Sequence, residues 1–231
     1  LIGVTAIVSL ISLGLGLQTS ITDQVQQLGT NRLLIGPGGE FLGPGTADFV
    51  NAELDDSDIR IIRGTRGVEK AEGVLVKQMG IEFDDKVEFN SVFAFDTTPE
   101  AREFVENAGL FDIEEGRELR SGDKFKVVLG YTLANEQYEE KIEVGKKILI
   151  RNQEFEVIGI QRLIGTGVHD TIVRMPQDTL RELLDEPKKL SLIFAFSKDG
   201  YTPRGVAERL TRELRSSRNV KEGEEDFNVQ T

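Results

Sequence analysis

The chain opens with an apolar run and continues as an amphipathic pattern of helical period. Residues Leu1 to Leu17 carry no charge, and the run does not begin with methionine. Apolar residues then recur at spacings of four, four and three, at Leu17, Ile21, Val25 and Leu28. This spacing places them on one face of a helix, and roughly 20 apolar residues span a bilayer. We therefore expect the outer part of a membrane helix that runs unbroken to about Leu28 as an amphipathic stalk.

Two other interpretations of the apolar run stay open on the sequence alone. A secretory signal peptide has a short apolar region behind basic residues and ends in small residues. Gly14 and Gly16 are small enough for a cleavage site, but no basic region precedes them. A buried core helix is the third interpretation, because length separates these classes only loosely. The amphipathic continuation after Leu17 favours the membrane helix, since a cleaved signal peptide has no need of it.

Beyond residue 30 the pattern predicts short strands and helices in mixed order, which indicates an α+β fold. Alternation from Val68 to Phe83 and from Val87 to Phe95 predicts two long strands, joined by a hairpin turn at Asp84-Asp85. The other predicted strands are Arg32 to Ile35, Lys126 to Leu129, Ile148 to Arg151, Phe155 to Ile160 (with a turn at Asn152-Gln153), Thr171 to Arg174, Leu190 to Phe196 and Phe227 to Gln230. The predicted helices run from Asp55 to about Gly64, from Pro99 through Val105, from Tyr131 to Tyr138, from Pro176 to Leu184 and from Pro203 through Leu214.

Charge and composition narrow the classes of function. The 231 residues include 28 Lys and Arg against 40 Asp and Glu, which gives a formal net charge of −12. A surface this acidic repels phosphate backbones, so nucleic-acid binding is disfavoured. The absence of cysteine excludes disulfides, thiol catalysis and cysteine-based zinc sites. The single histidine excludes any mechanism that needs two imidazoles.

Few residues of the chain resemble a catalytic or phosphate-binding site. His169 and Asp170 form the one tempting dyad, but a serine hydrolase would need a GxSxG elbow, which the sequence lacks. A surface or packing histidine is the simpler interpretation, and Gly165-Thr166-Gly167 before it suggests a mobile loop. The glycine-rich run from Gly36 to Gly45 lacks the GxxxxGKS/T order of a phosphate loop. We therefore expect no catalytic residue, no cofactor and no metal in this chain.

Its acidic clusters and one basic helix are interpreted as capping or surface features. Asp55, Asp56 and Asp58 lack the spacing of a calcium loop and fit the start of a helix. Asp84-Asp85 and Glu114-Glu115 are assigned to loops as solvated pairs. Five arginines on the last helix predict a salt-bridged exposed face, with a docking surface for an acidic partner as the alternative. They are Arg204, Arg209, Arg212, Arg215 and Arg218.

Several segments, taken in order, resemble the extracytoplasmic domain of ABC transporter permeases of the MacB/FtsX kind. The first two are Ser12 to Gly39 (SLGLGLQTSITDQVQQLGTNRLLIGPGG) and Leu54 to Leu75 (LDDSDIRIIRGTRGVEKAEGVL). The later ones are Glu114 to Leu119 (EEGREL), Val127 to Glu136 (VVLGYTLANE), Val144 to Ile160 (VGKKILIRNQEFEVIGI), Asp170 to Leu184 (DTIVRMPQDTLRELL) and Glu225 to Thr231 (EDFNVQT). Each segment alone is ordinary, so the likeness rests on the ordered set, which covers nearly the whole chain.

The resemblance implies a discontinuous α+β domain between the first two membrane helices of a four-helix permease subunit. Its fold would be a porter-like βαβ subdomain, interrupted by a smaller β-rich, sabre-like subdomain and preceded by the outer part of a transmembrane helix. The implied boundaries are 1–30 for the helix end and stalk, 31–97 for the first porter-like part, 98–188 for the insert, and 189–231 for the second porter-like part.

The resemblance also implies a function that involves no chemistry in this domain. ATP bound by a partner ABC ATPase in the cytoplasm would drive the membrane helices, and the stalk residues Leu17, Ile21, Val25 and Leu28 would couple their motion to the outer domain. Such permeases export substrates or act on partners outside the membrane. The implied partners are the cytoplasmic ABC ATPase, a second permease copy in a dimer, an extracytoplasmic adaptor or substrate protein, and the cell membrane.

Two rival functions remain at this point. One is a membrane-anchored extracytoplasmic module that binds a protein or peptide without transport. The other is an enzyme, and only His169 and Asp170 support that interpretation.

Overall fold

The computed structural model describes residues 31–38, 54–107 and 111–231. The strands in these ranges are β1 (Arg32–Pro37), β2 (Leu54–Asp55), β3 (Val68–Phe83), β4 (Lys86–Phe95), β5 (Ile113–Gly116), β6 (Lys126–Leu129), β7 (Lys147–Ile150), β8 (Gln153–Gln161), β9 (Val173–Pro176), β10 (Lys189–Leu190), β11 (Leu192–Ser197) and β12 (Phe227–Gln230). The helices are α1 (Asp56–Gly64), α2 (Pro99–Asn107), α3 (Tyr131–Asn135), α4 (Gln177–Leu184) and α5 (Pro203–Arg218), and a 3-10 turn spans His169–Thr171. The mixed strands and helices confirm the α+β content that the sequence predicts.

One end of the main sheet is a layer of strands covered by two helices. Its order is β12, β1, β11 and β3, with antiparallel pairing throughout. The stripes of α1 and α5 are fully buried against this sheet, as at Ile62 and Leu210, where they pack with Leu33 and Ile193. Burying such a stripe is what stabilises an amphipathic helix in a protein, so the predicted stripes account for the position of both helices.

At its other end the sheet closes into a ring of six strands. The pairing runs from β3 to β4, β9, β6, β8 and β7, and β7 returns to β3 through Ile81 with Ile150. Side chains from all six strands form one buried cluster, which also includes Leu133 of α3 and Leu180 of α4. The ring is therefore a small filled barrel, in which the interior is packed with side chains and leaves no strand edge between its members.

The long hairpin of β3 and β4 belongs to both ends of the sheet. Its turn residues Asp84 and Asp85 have φ values of 49° and 58°, and two positive φ values are the signature of the type I′ turn that suits right-twisted strands. The predicted hairpin is confirmed. Val87 and Phe89 share a face of β4 with Phe93, yet they are 50% and 77% exposed whereas Phe93 is 7% exposed.

The structure corrects four local predictions. The helix at Tyr131 ends at Asn135 instead of Tyr138, because the backbone leaves helical geometry at Glu136, with φ −131° and ψ −21°. Tyr138 lies beyond the helix and donates its hydroxyl to the carbonyl of Ile81 at 2.7 Å. The strand expected from Thr171 begins only at Val173, after the 3-10 turn. The turn between β7 and β8 is Arg151-Asn152, with positive φ at both residues, so β8 already starts at Gln153. Glu114-Glu115 lies in the edge strand β5 instead of a loop.

The predicted subdomain boundaries stay a prediction. One buried cluster contains Leu75 and Val92 as well as Val127 and Val173, so residues on both sides of position 98 share a core. Strand β11 pairs with β1 and β3.

Candidate functional site

The predicted stalk residues Leu17, Ile21, Val25 and Leu28 lie outside the residues that the structure describes. Within residues 31–38, 54–107 and 111–231, no helix is long and apolar enough to cross a membrane.

The chain enters the main sheet at the start of β1 and leaves it at the end of β12, and both points lie at the same end of the sheet. Leu34 of β1 pairs with Gln230 of the antiparallel strand β12, so the start of β1 and the end of β12 lie side by side. Strand β3 starts at this end too, because Lys70 pairs with Phe196, which pairs with Arg32. The hairpin tip at Asp84-Asp85 lies at the far end of β3. At about 3.3 Å per residue, the 16 residues of β3 span roughly 50 Å.

Helix α4 contacts helix α1 across a seam between the helix-covered layer and the barrel. Arg181 of α4 donates to Asp56 of α1 at 2.6 Å and also reaches the carbonyls of Lys188 and Lys189, each at 3.3 Å. Beside it, the buried amide of Gln177 donates to the carbonyl of Gly73 at 2.8 Å. These bonds connect α4, which packs on the barrel, to α1 and to strand β3.

A polar cavity of about 160 Å³ opens at this seam. Glu72, Asp96 and Arg181 line it, and Arg63 bonds Glu72 at 3.1 Å. Burial raises the pKa of Glu72, the nearby Arg63 opposes the rise, and the charges of Asp96 and Glu100 add to it. Several of the charged groups that line the cavity therefore form ion pairs with each other, Arg63 with Glu72 and Arg181 with Asp56.

Most arginines of the last helix have partners within the chain. Arg218 donates to both carboxylate oxygens of Asp226 at 2.8 and 2.6 Å and to buried Asp58 at 2.8 Å. This bidentate contact raises the pKa of Arg218 and lowers that of Asp226. The Arg218 contacts connect α5, α1 and the segment that enters β12. Further contacts join Arg204 to Glu208, Arg209 to the Tyr201 ring, and Arg215 to Glu222 and Glu225.

The aspartates at the start of α1 cap that helix as the sequence predicts. The Asp55 side chain accepts from the amides of Ser57 and Asp58, and the Asp58 side chain accepts from the amide of Asp55. This reciprocal pattern is a capping box. In the described part of the chain, no group of three or more His, Asp and Glu side chains is arranged to hold a metal ion.

His169 and Asp170 do not form a charge relay. The carboxylate of Asp170 accepts the amides of Ile164 at 2.9 Å and Gly165 at 2.8 Å, so both of its oxygens are occupied by its own loop. The His169 ring contacts Thr166 through Nδ1 at 3.1 Å. Burial lowers the pKa of His169, against the opposing charge of Asp170. The two residues therefore bond to their own loop, residues 162–168, and the mobility expected of this loop stays a prediction.

A buried ion pair lies beside this loop, and the sequence pattern does not predict it. Arg174 of β9 is 1% exposed, donates to Glu118 at 2.7 Å, and lies 4.9 Å from the centre of the Phe111 ring. Phe111 also contacts the His169 ring, with centroids 5.9 Å apart. One signal was available in the sequence, because an arginine inside an apolar strand is expected to need a buried partner. Its partner 56 residues away carries no local signature.

Comparison with known proteins agrees with this architecture. Residues 1–213 match the family model of the MacB-like periplasmic core domain. An uncharacterized ABC transporter permease of Methanocaldococcus jannaschii is 32% identical over 230 residues, which cover 100% of this chain and 55% of that protein. The macrolide export ATP-binding/permease protein MacB of Rhodospirillum rubrum is 26% identical over 236 residues, which cover 99% of this chain and 35% of that protein. The chain thus spans about half, or about a third, of the length of these relatives.

Two solved structures share the fold. The periplasmic region of MacB from Actinobacillus actinomycetemcomitans superimposes with a TM-score of 0.69 at 17% identity, covering 90% of this chain and 91% of that one. The extracellular domain of the transporter YknZ from Gram-positive bacteria gives 0.64 at 18% identity, covering 88% and 100%. At these identities the structures show the fold alone. The match of the family model over residues 1–213, the 32% identical permease and the shared fold lead to one assignment: the chain belongs to the MacB-like periplasmic core domain family.

Proposed function

We propose that this chain is the extracytoplasmic domain of an ABC permease subunit, and that it transmits ATP-driven motion of membrane helices to a substrate or partner outside the membrane. Family membership supports the general role as part of an ABC permease. The transmission of motion is supported by one observation above the others, namely that strand β3 takes part in both the helix-covered layer and the barrel.

The geometry of β3 suits the transmission of a displacement. The strand begins beside β1 and β12, where the chain enters and leaves the sheet, and ends at the hairpin tip after roughly 50 Å of strand length. It pairs with β11 along its first half and with β4 along its second. Because packed elements move as units, a shift at the end that holds β1 and β12 would move the barrel with it.

We further propose that the stalk residues Leu17, Ile21, Val25 and Leu28 couple the first membrane helix to β1. The helical spacing of their side chains supports this, since one continuous stripe requires one continuous helix. In this arrangement the porter-like parts comprise residues 31–97 and 189–231, residues 98–188 form the sabre-like insert, and the next membrane helix follows β12.

ATP hydrolysis belongs, in this proposal, to a cytoplasmic ABC ATPase domain or subunit and not to this chain. The occupied oxygens of Asp170 support a structural role for the one dyad that suggested chemistry. The subunit would sit in the cell membrane, act as a permease dimer, and meet an adaptor or substrate protein with its extracytoplasmic domain.

The stalk offers the sharpest test of coupling. Replacing Val25 and Leu28 together with glycine adds a helix penalty of about 1 kcal/mol at each site. In the full-length transporter we expect ATP hydrolysis to persist while export or partner activation fails. The matched control replaces both residues with alanine, which removes apolar contacts but keeps helix propensity. A glycine variant that transports at the parental rate would show that the stalk does not carry the coupling.

A further inference from the structure

Three exposed aliphatic side chains cluster on one loop of the barrel. Leu163, Ile164 and Val168 are 50%, 38% and 45% exposed, and all lie within residues 162–168, here called the apolar loop. In the described part of the chain, the other large apolar side chains with comparable exposure are Val87, Phe89 and Val144. Single exposed apolar residues are common on proteins, but three within six positions of one loop are a concentrated apolar surface.

The backbone of the apolar loop is hydrogen-bonded to Asp170 and Thr171. Asp170 accepts the amides of Ile164 and Gly165, while the Asp170 amide donates to the carbonyl of Thr166 at 3.0 Å. The hydroxyl of Thr171 donates to the carbonyl of Gly167 at 2.8 Å. A loop that is ordered before binding loses less conformational entropy when it binds. These bonds engage the backbone of residues 164 to 167, between the positions that carry the exposed apolar side chains.

Acidic side chains border this surface on one side. Strand β5 pairs with the end of β8, and the amide of Arg162 donates to the carbonyl of Asp112 at 2.8 Å, so β5 lies beside the start of the loop. Glu114 and Glu115 of β5 are exposed. Arg162 pairs with Asp112 at 3.7 Å between two exposed side chains. The border is therefore net negative, beside an apolar centre.

We propose that the apolar loop docks into an apolar groove of an extracytoplasmic partner protein that carries basic residues beside the groove. The acidic border selects this occupant by charge complementarity. A second copy of the chain would bring two acidic borders together, and an anionic lipid surface would repel them. The extracytoplasmic location rests on the function proposed above, whereas the docking itself does not require the transmission of motion.

The first experiment identifies the occupant in the full-length protein. The photo-crosslinker p-benzoylphenylalanine is placed at Leu163 in the host cell, and at Val144 in the matched control, which is 40% exposed but outside the loop. We expect a covalent adduct with a different protein from position 163 and none from 144. An adduct with lipid, an adduct with a second copy, or no adduct at all would overturn the proposal.

The second experiment measures binding of the purified crosslinked protein to full-length variants. Replacing Leu163, Ile164 and Val168 with serine should weaken binding at least about tenfold, because residues at the centre of an interface dominate its affinity. The matched control replaces exposed Val87 and Phe89 with serine and should bind like the parent. Unchanged binding by the triple variant would overturn the proposal.

A third set of variants separates the contributions to binding. Reversing the border charge with Glu114→Lys and Glu115→Lys should slow association and reduce its dependence on salt; these exposed substitutions leave the loop intact. Association that is unchanged or faster would contradict the basic groove. The stalk variant with Val25 and Leu28 replaced by glycine should bind like the parent, since it affects transmission alone. Loss of transport with binding retained would thus distinguish the two proposals.

Discussion

The buried pair of Arg174 and Glu118 gives a prediction with an unusual order of effects. Arg174 is 1% exposed and Glu118 is 16% exposed at their side chains, with 2.7 Å between Nη1 and Oε2. Burial lowers the pKa of Arg174 and Glu118 opposes that effect, so removing the carboxylate leaves a buried cation without its counter-charge. Replacing one partner of such a pair costs about 3–5 kcal/mol when the other stays buried and charged.

We expect Glu118→Ala to approach that range and Arg174→Met to cost less, about 1–3 kcal/mol. Methionine keeps apolar volume in the strand, and Glu118, being partly exposed, can turn toward water. The double variant should resemble Arg174→Met alone, because the uncompensated cation is absent from both. A double-mutant cycle should therefore give a coupling equal in size to the Glu118→Ala loss, about 3–5 kcal/mol.

The assay is urea unfolding of residues 31–231, with midpoints compared at constant slope. Glu118→Gln serves as the matched control, because it keeps the size and one acceptor oxygen while removing the charge. A loss below about 1 kcal/mol for Glu118→Ala would show that Arg174 is solvated or re-paired. A larger loss for Arg174→Met than for Glu118→Ala would refute the argument that the buried cation dominates.

Two further predictions concern the same end of the sheet. Arg117 is the main group that lowers the pKa of Asp123 from 3.8 to about 2, and the Arg120 amide and the charge of Lys126 add to the effect. The ionised Asp123 therefore contributes about 1–2 kcal/mol of stability above pH 4, after allowing for the partly exposed Arg117, and this contribution is lost as the pH falls toward 2. Arg117→Met should flatten the acid limb of the plot of stability against pH, and an unchanged limb would contradict the pairing. Gly130→Ala should lower the thermal midpoint, since the added Cβ would lie 2.5 Å from the carbonyl oxygen of Asp170. The expected cost in stability is about 1–3 kcal/mol. Gly64→Ala is the control, because a Cβ there meets nothing within 4 Å, and equal midpoints for the two variants would rule out the clash.

Local signals in the sequence predicted the elements that local physics determines. The apolar stripe at Val206, Leu210 and Leu214 predicts α5, and all three residues are fully buried. Thr202 caps that helix through its hydroxyl, and Asp84-Asp85 forms the expected turn. In each case the determining interactions join residues within a few positions of one another, so the pattern of the chain contains them.

Features that depend on residues far apart in the sequence cannot be predicted from such local patterns. The closing of the barrel rests on Ile81 with Ile150 and Glu82 with Leu149, which nothing in either segment specifies. Arg174 and Glu118 are separated by 56 positions. Strand β5 was missed for a similar reason, since its acidic residues fit a loop until β8 supplies a pairing partner.

Solvent exposure distinguishes the apolar residues that pack in the core of this domain from those available to bind a partner. A sequence pattern does not specify this exposure. Val87, Phe89, Phe93 and Phe95 alternate along one face of β4, yet only the last two are buried, because β9 pairs with β4 from Val92 onward and a further cluster covers that part alone. The residues that look most chemical show the converse. Both oxygens of the Asp170 carboxylate accept hydrogen bonds from backbone amides of its own loop. The proposed role of this domain is to transmit motion and bind a partner, so its binding residues are expected among apolar side chains that remain exposed to solvent. The folded structure identifies such side chains, as at Leu163, Ile164 and Val168, whereas the sequence pattern does not.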